Sequence, residues 1–169
     1  MRLLNITEGS IKLDGLDIRS IDPELLRSKI VTISQDIFKL PGTIRSNLDP
    51  TSHVSDTSLV LALQEVDLWA YLQSQGGLDA DMDVVGLSQG QLQLFSLAKA
   101  ILKPKTKLVL LDEVGSAVDA ETKRNIMRKI VRQRFSGCTV LAVTHRPSSE
   151  DWDKIALIDR GRLVKFQKP

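Results

Sequence analysis

Polar side chains follow three apolar stretches that have the composition of buried β-strands. Asp112 and Glu113 come directly after "LVLL", and His145 comes after "VLAVT". Gln35 stands two residues beyond "IVTI". Open α/β sheets bind ligands at the carboxyl ends of their strands, so these residues are candidates for one site. An Asp at such a strand end can hold Mg²⁺ beside phosphate groups, and a neighbouring Glu can act on a water molecule.

A second candidate site lies in "GLSQGQLQLF", residues 86–95, which opens an apolar helical pattern. Ser88 and Gln91 have the S-x-x-Q spacing of a capping box, in which each side chain bonds the backbone amide of the other residue. Gly90 has no side chain that would keep a ligand away from the main chain. The free amides and the positive dipole end of a helix favour an anion, so we expect a phosphate there. The spacing by itself also fits an ordinary capped helix.

The size and charge of the chain limit the classes of function. Its 169 residues suit one domain, and a hydrophobic content of 42% is enough for a core. The 23 basic residues nearly balance the 21 acidic ones, which gives no general reason to bind nucleic acid or an anionic membrane. The single cysteine, Cys138, cannot form an intrachain disulfide. No stretch resembles a membrane span or a secretory signal, and we expect the chain alone to be soluble.

The first third of the sequence predicts short strands and helices. "SIKLDGLDI" alternates apolar and polar residues around the turn dipeptide Asp14-Gly15, which indicates a hairpin. Asp22 is a helix cap, and Pro23 suits the first helical position. Residues 30–33 predict a buried strand because they are mostly β-branched, and residues 41–49 predict a turn that enters a short helix.

The middle of the chain is predicted to be mostly helical. Apolar residues recur at helical spacing over residues 55–72, with Ser55 or Asp56 as the cap. A glycine-containing acidic loop follows, and Ser88 begins a strong helix that Pro104 stops. One face of that helix carries apolar residues, namely Leu94, Phe95, Ala98, Ile101 and Leu102.

The last third of the sequence alternates strand and helix patterns. Residues 107–113 form a continuous apolar run that is typical of a parallel strand covered on both faces. A helix capped by Asp119 and a second buried strand, residues 138–145, follow. Residues 154–166 predict a closing hairpin through Arg160-Gly161. This order predicts an α/β fold with a mostly parallel sheet, flanked by helices and interrupted by a helical lobe.

Four motifs together resemble the ATP-binding cassette of ABC transporters, which has a P-loop NTPase-like core. "LSQGQ" resembles the signature loop, "LVLLDE" the end of the Walker B strand, "SAVD" the D-loop and "THR" the switch-histidine segment. The resemblance implies one partial nucleotide-binding domain over residues 1–169, with a helical subdomain at about 50–103. "GSIKLDGLDI" and "QDIFKLPGTIRSNLDP" are similar to the second cassette of subfamily C exporters, the multidrug-resistance-associated type.

In this family each ATP lies between two cassettes, and the resemblance implies roles on both sides of that interface. For ATP bound on this chain, Glu113 is expected to be the water-activating base and His145 to contact the γ-phosphate. Asp112 and Gln35 are expected to serve Mg²⁺. Gln35 matches the glutamine of the family's Q-loop, so it is also counted among the residues that bind the nucleotide.

The signature-like loop implies a role toward a partner. Ser88, Gly90 and Gln91 are expected to hold the γ-phosphate of ATP that is bound on another cassette. Asp119 ends the D-loop-like "SAVD" and is also expected to bind the nucleotide. The implied cofactors are ATP and Mg²⁺. The implied partners are a second nucleotide-binding domain and the transmembrane domains of an exporter, which place this domain at the cytoplasmic face of a membrane.

The sequence departs from the family pattern in several places. No G-x-x-x-x-G-K-[ST] motif occurs, so the expected fold lacks the Walker A segment, whose backbone and lysine hold the β- and γ-phosphates. "MRLLNITEGS" is similar to the end of the helix that follows that motif. Val114 and Gly115 replace the usual residues after the Walker B acid, and Leu92 replaces a basic residue. We therefore expect an N-terminally truncated domain with negligible ATPase activity alone.

Other interpretations remain open. A non-catalytic interaction module that completes a partner's ATP site fits the same motifs, as does a soluble ABC ATPase of DNA repair or translation. We expect no nucleic-acid partner, because acidic residues balance the basic ones and a solvated helix face explains the basic cluster. A hydrolase triad through Ser116 and His145 lacks the G-x-S-x-G elbow that its nucleophile needs.

Overall fold

The structure is a computed structural model, and it describes residues 5–34, 37–114, 131–145 and 152–168. Two of the predicted nucleotide-binding residues, Gln35 and Asp119, lie outside the described residues. The helix predicted to begin at Asp119 is described only from residue 131, where Val131 and Phe135 are buried.

The N-terminal strands form the predicted hairpin. β1 (Lys12–Leu13) pairs antiparallel with β2 (Leu16–Asp17). Asp14 and Gly15 have φ of 48° and 83°, the left-handed backbone that Asp-Gly turns adopt between paired strands. Lys107 Nζ lies 3.2 Å from Asp14 Oδ2, so an ion pair connects this turn to the central sheet.

A short helix, α1 (Pro23–Ser28), leads from the hairpin to the sheet. The Asp22 side chain accepts hydrogen bonds from the backbone amides of Glu24 and Leu25, and Pro23 is the first helical residue. Both features confirm the prediction. They also show why the helix begins there, since the cap satisfies amides that have no acceptor within the helix.

A parallel three-stranded sheet lies at the centre of the described fold. Its strands are β3 (Ile30–Ile33), β4 (Leu108–Asp112) and β5 (Thr139–Val143). β4 lies between the other two, and Asp112 is paired in register with Val143. The three carboxyl ends therefore meet at one edge of the sheet, and the predicted α/β fold with a parallel sheet is confirmed.

β5 is more exposed than its sequence predicts. Leu141 and Val143 are each 60% exposed, whereas Val140 and Ala142 pack against the hydrophobic core. Among the described strands, β5 pairs only with β4. The prediction of a fully buried strand is therefore wrong for one face. Apolar composition shows that a strand tolerates burial on both faces, but it does not say which neighbours the fold supplies.

Five helices occupy most of residues 44–102. They are α2 (Ile44–Leu48), α3 (Asp56–Glu65), α4 (Trp69–Ser74), α5 (Met82–Val85) and α6 (Gln89–Leu102). The apolar pattern of residues 55–72 forms two helices and not one, because Asp67 turns the chain with φ of 58°. The acidic stretch predicted as a loop contains a 3₁₀ turn, Gly77–Asp79, and α5. Ser55 caps α3, as predicted.

The long helix α6 packs between α3 and β3. Three residues of its predicted apolar face, Phe95, Ala98 and Ile101, are buried, and Leu94 and Leu102 are half-buried. Leu97 and Ala100 are buried as well, because the helix has neighbours on two sides. The helix ends two residues before Pro104, as predicted.

An ion-pair cluster around Arg45 joins α2 to two later segments. Arg45 Nη2 donates to Asp79 Oδ1 at 3.0 Å, and Nη1 contacts Asp56 at the start of α3. The hydrogen bonds to Asp56 and Asp79 raise the pKa of Arg45 above its usual value. Arg45 thereby connects α2 to the start of α3 and to the Gly77–Asp79 turn.

The closing hairpin is formed by β6 (Ile155–Asp159) and β7 (Arg162–Gln167). Arg160 and Gly161 turn the chain with φ of 47° and 75°, as their positions in the sequence predict. Within the ranges that the structure describes, no helix combines the length and the apolar character needed to cross a membrane.

Asp49, directly after α2, is a buried carboxylate that organises the following loop. It is 7% exposed and accepts hydrogen bonds from Thr51 Oγ1 and from the Val54 amide, both at 2.7 Å. These hydrogen bonds, with that of the Thr51 side chain the strongest, lower the pKa of Asp49 to about 2.

We predict that Asp49→Asn lowers the free energy of unfolding at neutral pH by about 1–3 kcal/mol, because the amide nitrogen cannot accept from Val54. The pKa of Asp49 is depressed below 3.8, so its stabilisation is complete above that value and is lost as pH falls toward 2. The difference in the free energy of unfolding between the two proteins should therefore shrink as the pH falls. Urea unfolding of both proteins across this pH range, with the exposed Asp153→Asn as the control, measures this difference. An equal loss at every pH would contradict the assignment.

Candidate functional site

The strand ends bring two predicted catalytic side chains into contact. Glu113 directly follows β4, and His145 follows β5 after one residue. Glu113 Oε1 lies 2.7 Å from His145 Nε2, so the two side chains are in direct contact. The two residues are distant in the sequence, so parallel pairing of β4 with β5 is what places them together.

The backbone at Glu113 fixes the position of its carboxylate. Its φ of 52° lies in the left-handed region, which residues other than glycine seldom adopt. Its amide donates to the Val143 carbonyl at 3.0 Å, one residue beyond the end of β4. The Glu113 side chain is 22% exposed, whereas that of His145 is 84% exposed. The carboxylate is therefore sheltered, and the imidazole is accessible to a ligand.

Asp112 supplies a second carboxylate, directly before Glu113 in the sequence. It is the last residue of β4, and it is exposed. Mg²⁺ takes one or two protein carboxylates together with phosphate oxygens and water. Among the described side chains, no group of three or more His, Cys, Asp or Glu residues is arranged to hold a metal ion.

The start of α6 forms the second candidate site, and the predicted capping box is confirmed. Ser88 Oγ accepts from the Gln91 amide at 3.2 Å, and Gln91 Oε1 accepts from the Ser88 amide at 2.9 Å. The first amides of a helix have no acceptor within it, so those of Gln89 and Gly90 need a partner from outside α6. Ser88 is exposed, and Gly90 is half-exposed. The geometry suits an anion.

The two candidate sites have separate hydrogen-bond networks. Glu113 is bonded to Val143 and His145, whereas Ser88 and Gln91 bond one another. The structure brings Glu113 and His145 together, and the printed bonds of Ser88 and Gln91 do not reach them.

Sequence analysis did not predict that Lys103 connects the end of α6 to the start of β3. Its Nζ, after the last residue of α6, donates to the carbonyls of Arg27 and Ile30 at 2.9 and 2.7 Å. Burial lowers the pKa of Lys103. These bonds join the end of α6 to the start of β3. A single lysine near a helix end has no pattern that would predict such a contact.

Comparison with known protein families identifies the class of this chain. The sequence model described as "ABC transporter" matches residues 1–116, more than half of the chain. The chain therefore belongs to the ABC transporter family and has the fold of its ATPase domains. Domains of this family bind ATP, typically with Mg²⁺.

Fungal transporters are similar to this chain along nearly all of its length. ABC multidrug transporter B of Aspergillus fumigatus is 41% identical over 169 residues, which cover 99% of this chain and 12% of that protein. ABC transporter ecdL of Aspergillus rugulosus is 40% identical over 170 residues, which cover 100% of this chain and 11% of that protein. An ABC-type transporter of Gibberella zeae is 41% identical over 169 residues, which cover 99% of this chain and 12% of that protein. The chain thus spans a small part of the length of these relatives.

We predict that Ser88→Ala lowers the free energy of unfolding by about 1 kcal/mol, because α6 loses its N-cap acceptor. Ser88→Asn retains an acceptor at the cap, so its free energy of unfolding should lie within about a few tenths of a kcal/mol of that of the unmodified chain. Urea unfolding of the three proteins measures both effects. If the alanine variant unfolded at the same urea concentration as the asparagine variant, the box would not stabilise the helix.

Proposed function

We propose that this chain is a nucleotide-binding domain of a subfamily C type exporter, where ATP binding and hydrolysis drive export of a substrate. The observation that carries the proposal is the contact between Glu113 and His145 at the carboxyl edge of the sheet. A sheltered carboxylate beside an accessible imidazole and a second carboxylate suits activation of a water molecule next to a phosphate. Membership of the family supplies the nucleotide, ATP.

The acidic edge has distinct roles in this proposal. Glu113 accepts the proton of the attacking water, and its left-handed backbone and the bond to Val143 hold it in place. His145 presents its exposed ring to the γ-phosphate. Asp112 and Gln35 would hold Mg²⁺, which would supply positive charge against the phosphate oxygens. Asp119 contributes to the nucleotide contacts.

The loop at the start of α6 serves a different ATP molecule. Ser88, Gly90 and Gln91 face the γ-phosphate of ATP carried by a second cassette. The capping box supports this role, because it caps the N-terminal end of α6, where the first amides and the helix dipole favour an anion. A preformed donor set binds an anion without the cost of ordering the loop.

The partners in this proposal are a second nucleotide-binding domain and the transmembrane domains of the exporter. The relatives are named as transporters and are several times longer than this chain, which supports partners of this kind. The domain then works at the cytoplasmic face of a membrane.

A non-catalytic interaction module is the second candidate function. The complete capping box of the Ser88 loop favours a chain that completes a partner's site. Both candidates use the same loop. They differ in whether Glu113 acts on ATP that the chain itself holds.

We predict that the isolated chain hydrolyses MgATP negligibly, because the β- and γ-phosphates lack the glycine-rich cradle and its lysine. Phosphate release by the chain and by Glu113→Gln should both remain at the level of buffer. Calorimetric titration with MgATP should show no tight binding. Steady turnover that Glu113→Gln abolishes would contradict this prediction and would exclude the interaction module.

We predict that the chain stimulates hydrolysis by an ATP-binding cassette taken from the Aspergillus fumigatus relative, because Ser88 and the α6 amides complete the partner's phosphate site. Ser88→Asp keeps the helix cap but sets a negative charge against the phosphate, so stimulation should fall at least about tenfold. Ser88→Asn has the same shape without the charge and is the matched control. Equal stimulation by the Asp and Asn variants would contradict the proposal that the loop contacts the partner's phosphate.

A further inference from the structure

Tyr71 on α4 contacts the segment that leads into the Ser88 loop. Its hydroxyl donates to the carbonyl oxygen of Val85, the last residue of α5, at 3.2 Å. Gly86 and Leu87 are the only residues between Val85 and Ser88. The bond therefore reaches the chain immediately before the α6 N-terminus, from a helix that has no part in the capping box.

The Val85 carbonyl needs a donor from outside α5. Carbonyls in the last turn of a helix have no partner within that helix, and Gly86 ends α5 in the left-handed conformation with φ of 60°. The next residue, Leu87, is 7% exposed and packs in the core. The link to Ser88 thus has two fixed points, the carbonyl held by Tyr71 and the buried Leu87 side chain.

The N-terminal end of α5 is held independently. The Asp81 side chain accepts from the amides of Asp83 and Val84, and the Met82 amide donates to the Gly42 carbonyl at 2.9 Å. Loss of the Tyr71 bond would leave these contacts intact. Its effect would fall on the C-terminal end of α5, and from there on the direction of the loop.

We propose that Tyr71 is a positioning residue for the phosphate-facing loop, and this inference rests on the proposed function of that loop. Tyr71 acts through the Val85 carbonyl and does not touch the nucleotide. It keeps Ser88 and the first amides of α6 in one orientation before the ATP-loaded partner arrives. Without the bond, only a fraction of the molecules has the loop in the orientation that binds the partner's ATP. The apparent affinity of the chain for the ATP-loaded partner falls by that fraction, while the rate of ATP hydrolysis within the complex is unchanged.

The first test uses hydrogen exchange on the full chain. Tyr71, which is 36% exposed, keeps its ring in the Tyr71→Phe variant and loses only the hydroxyl. Exchange of the Ser88 and Gln91 amides should accelerate by about three- to tenfold, the factor that corresponds to one lost hydrogen bond. Ser74→Ala removes a bond within the same helix, from Ser74 Oγ to the Tyr71 carbonyl at 2.7 Å, and should leave both amides unchanged. Unchanged exchange in Tyr71→Phe would overturn the proposal.

The second test separates positioning from general stability. In the assay with the ATP-binding partner cassette, Tyr71→Phe should raise the half-saturating concentration of the chain about three- to tenfold and leave the maximal rate unchanged. A purely structural role would lower the melting temperature and the maximal rate without that shift, and would overturn the proposal. If the unmodified chain gives no stimulation, the proposed function fails, and the exchange measurement still decides whether Tyr71 anchors the loop.

Discussion

The parallel pairing of β4 with β5 is the constraint on which the acidic site depends. Asp112 is in register with Val143, and the next amide, that of Glu113, continues the ladder to the Val143 carbonyl. A residue at this position must turn out of the strand, and the left-handed φ of Glu113 shows the local strain of that turn. The hydrogen bond and the contact with His145 offset this strain. A shift of register by one residue would separate the carboxylate from the imidazole.

The second site depends on the packing of α6. Phe95, Leu97 and Ala98 are buried, so the body of the helix is fixed between α3 and β3. Lys103 holds its other end through two carbonyls. Because the helix is rigid and anchored, its first turn can stay open to solvent and still keep one orientation. The same helix therefore contributes to the core and presents its capped first turn to solvent.

Local patterns predicted the parts of the fold that short-range chemistry decides. The Asp14-Gly15 turn, the Asp22 cap and the Ser88–Gln91 capping box each depend on residues within a few positions of one another, and the structure confirms all three. The break at Asp67 was not predicted, because aspartate adopts the left-handed region only where the surrounding packing favours it. The open face of β5 was missed for a related reason, since exposure depends on which strands become neighbours.

The sequence by itself determined the chemistry of this protein: its carboxylates, its histidine and its capped glycine-containing loop are recognisable by type and spacing, because caps, turns and strand ends have local signatures. Only the tertiary structure decided which of these groups meet. The contact of Glu113 with His145, the hold of Lys103 on β3 and the bond from Tyr71 to Val85 all join residues that are far apart in the chain. Such contacts depend on the register of strands and the packing of helices. These are properties of the whole fold, and no short stretch of sequence encodes them.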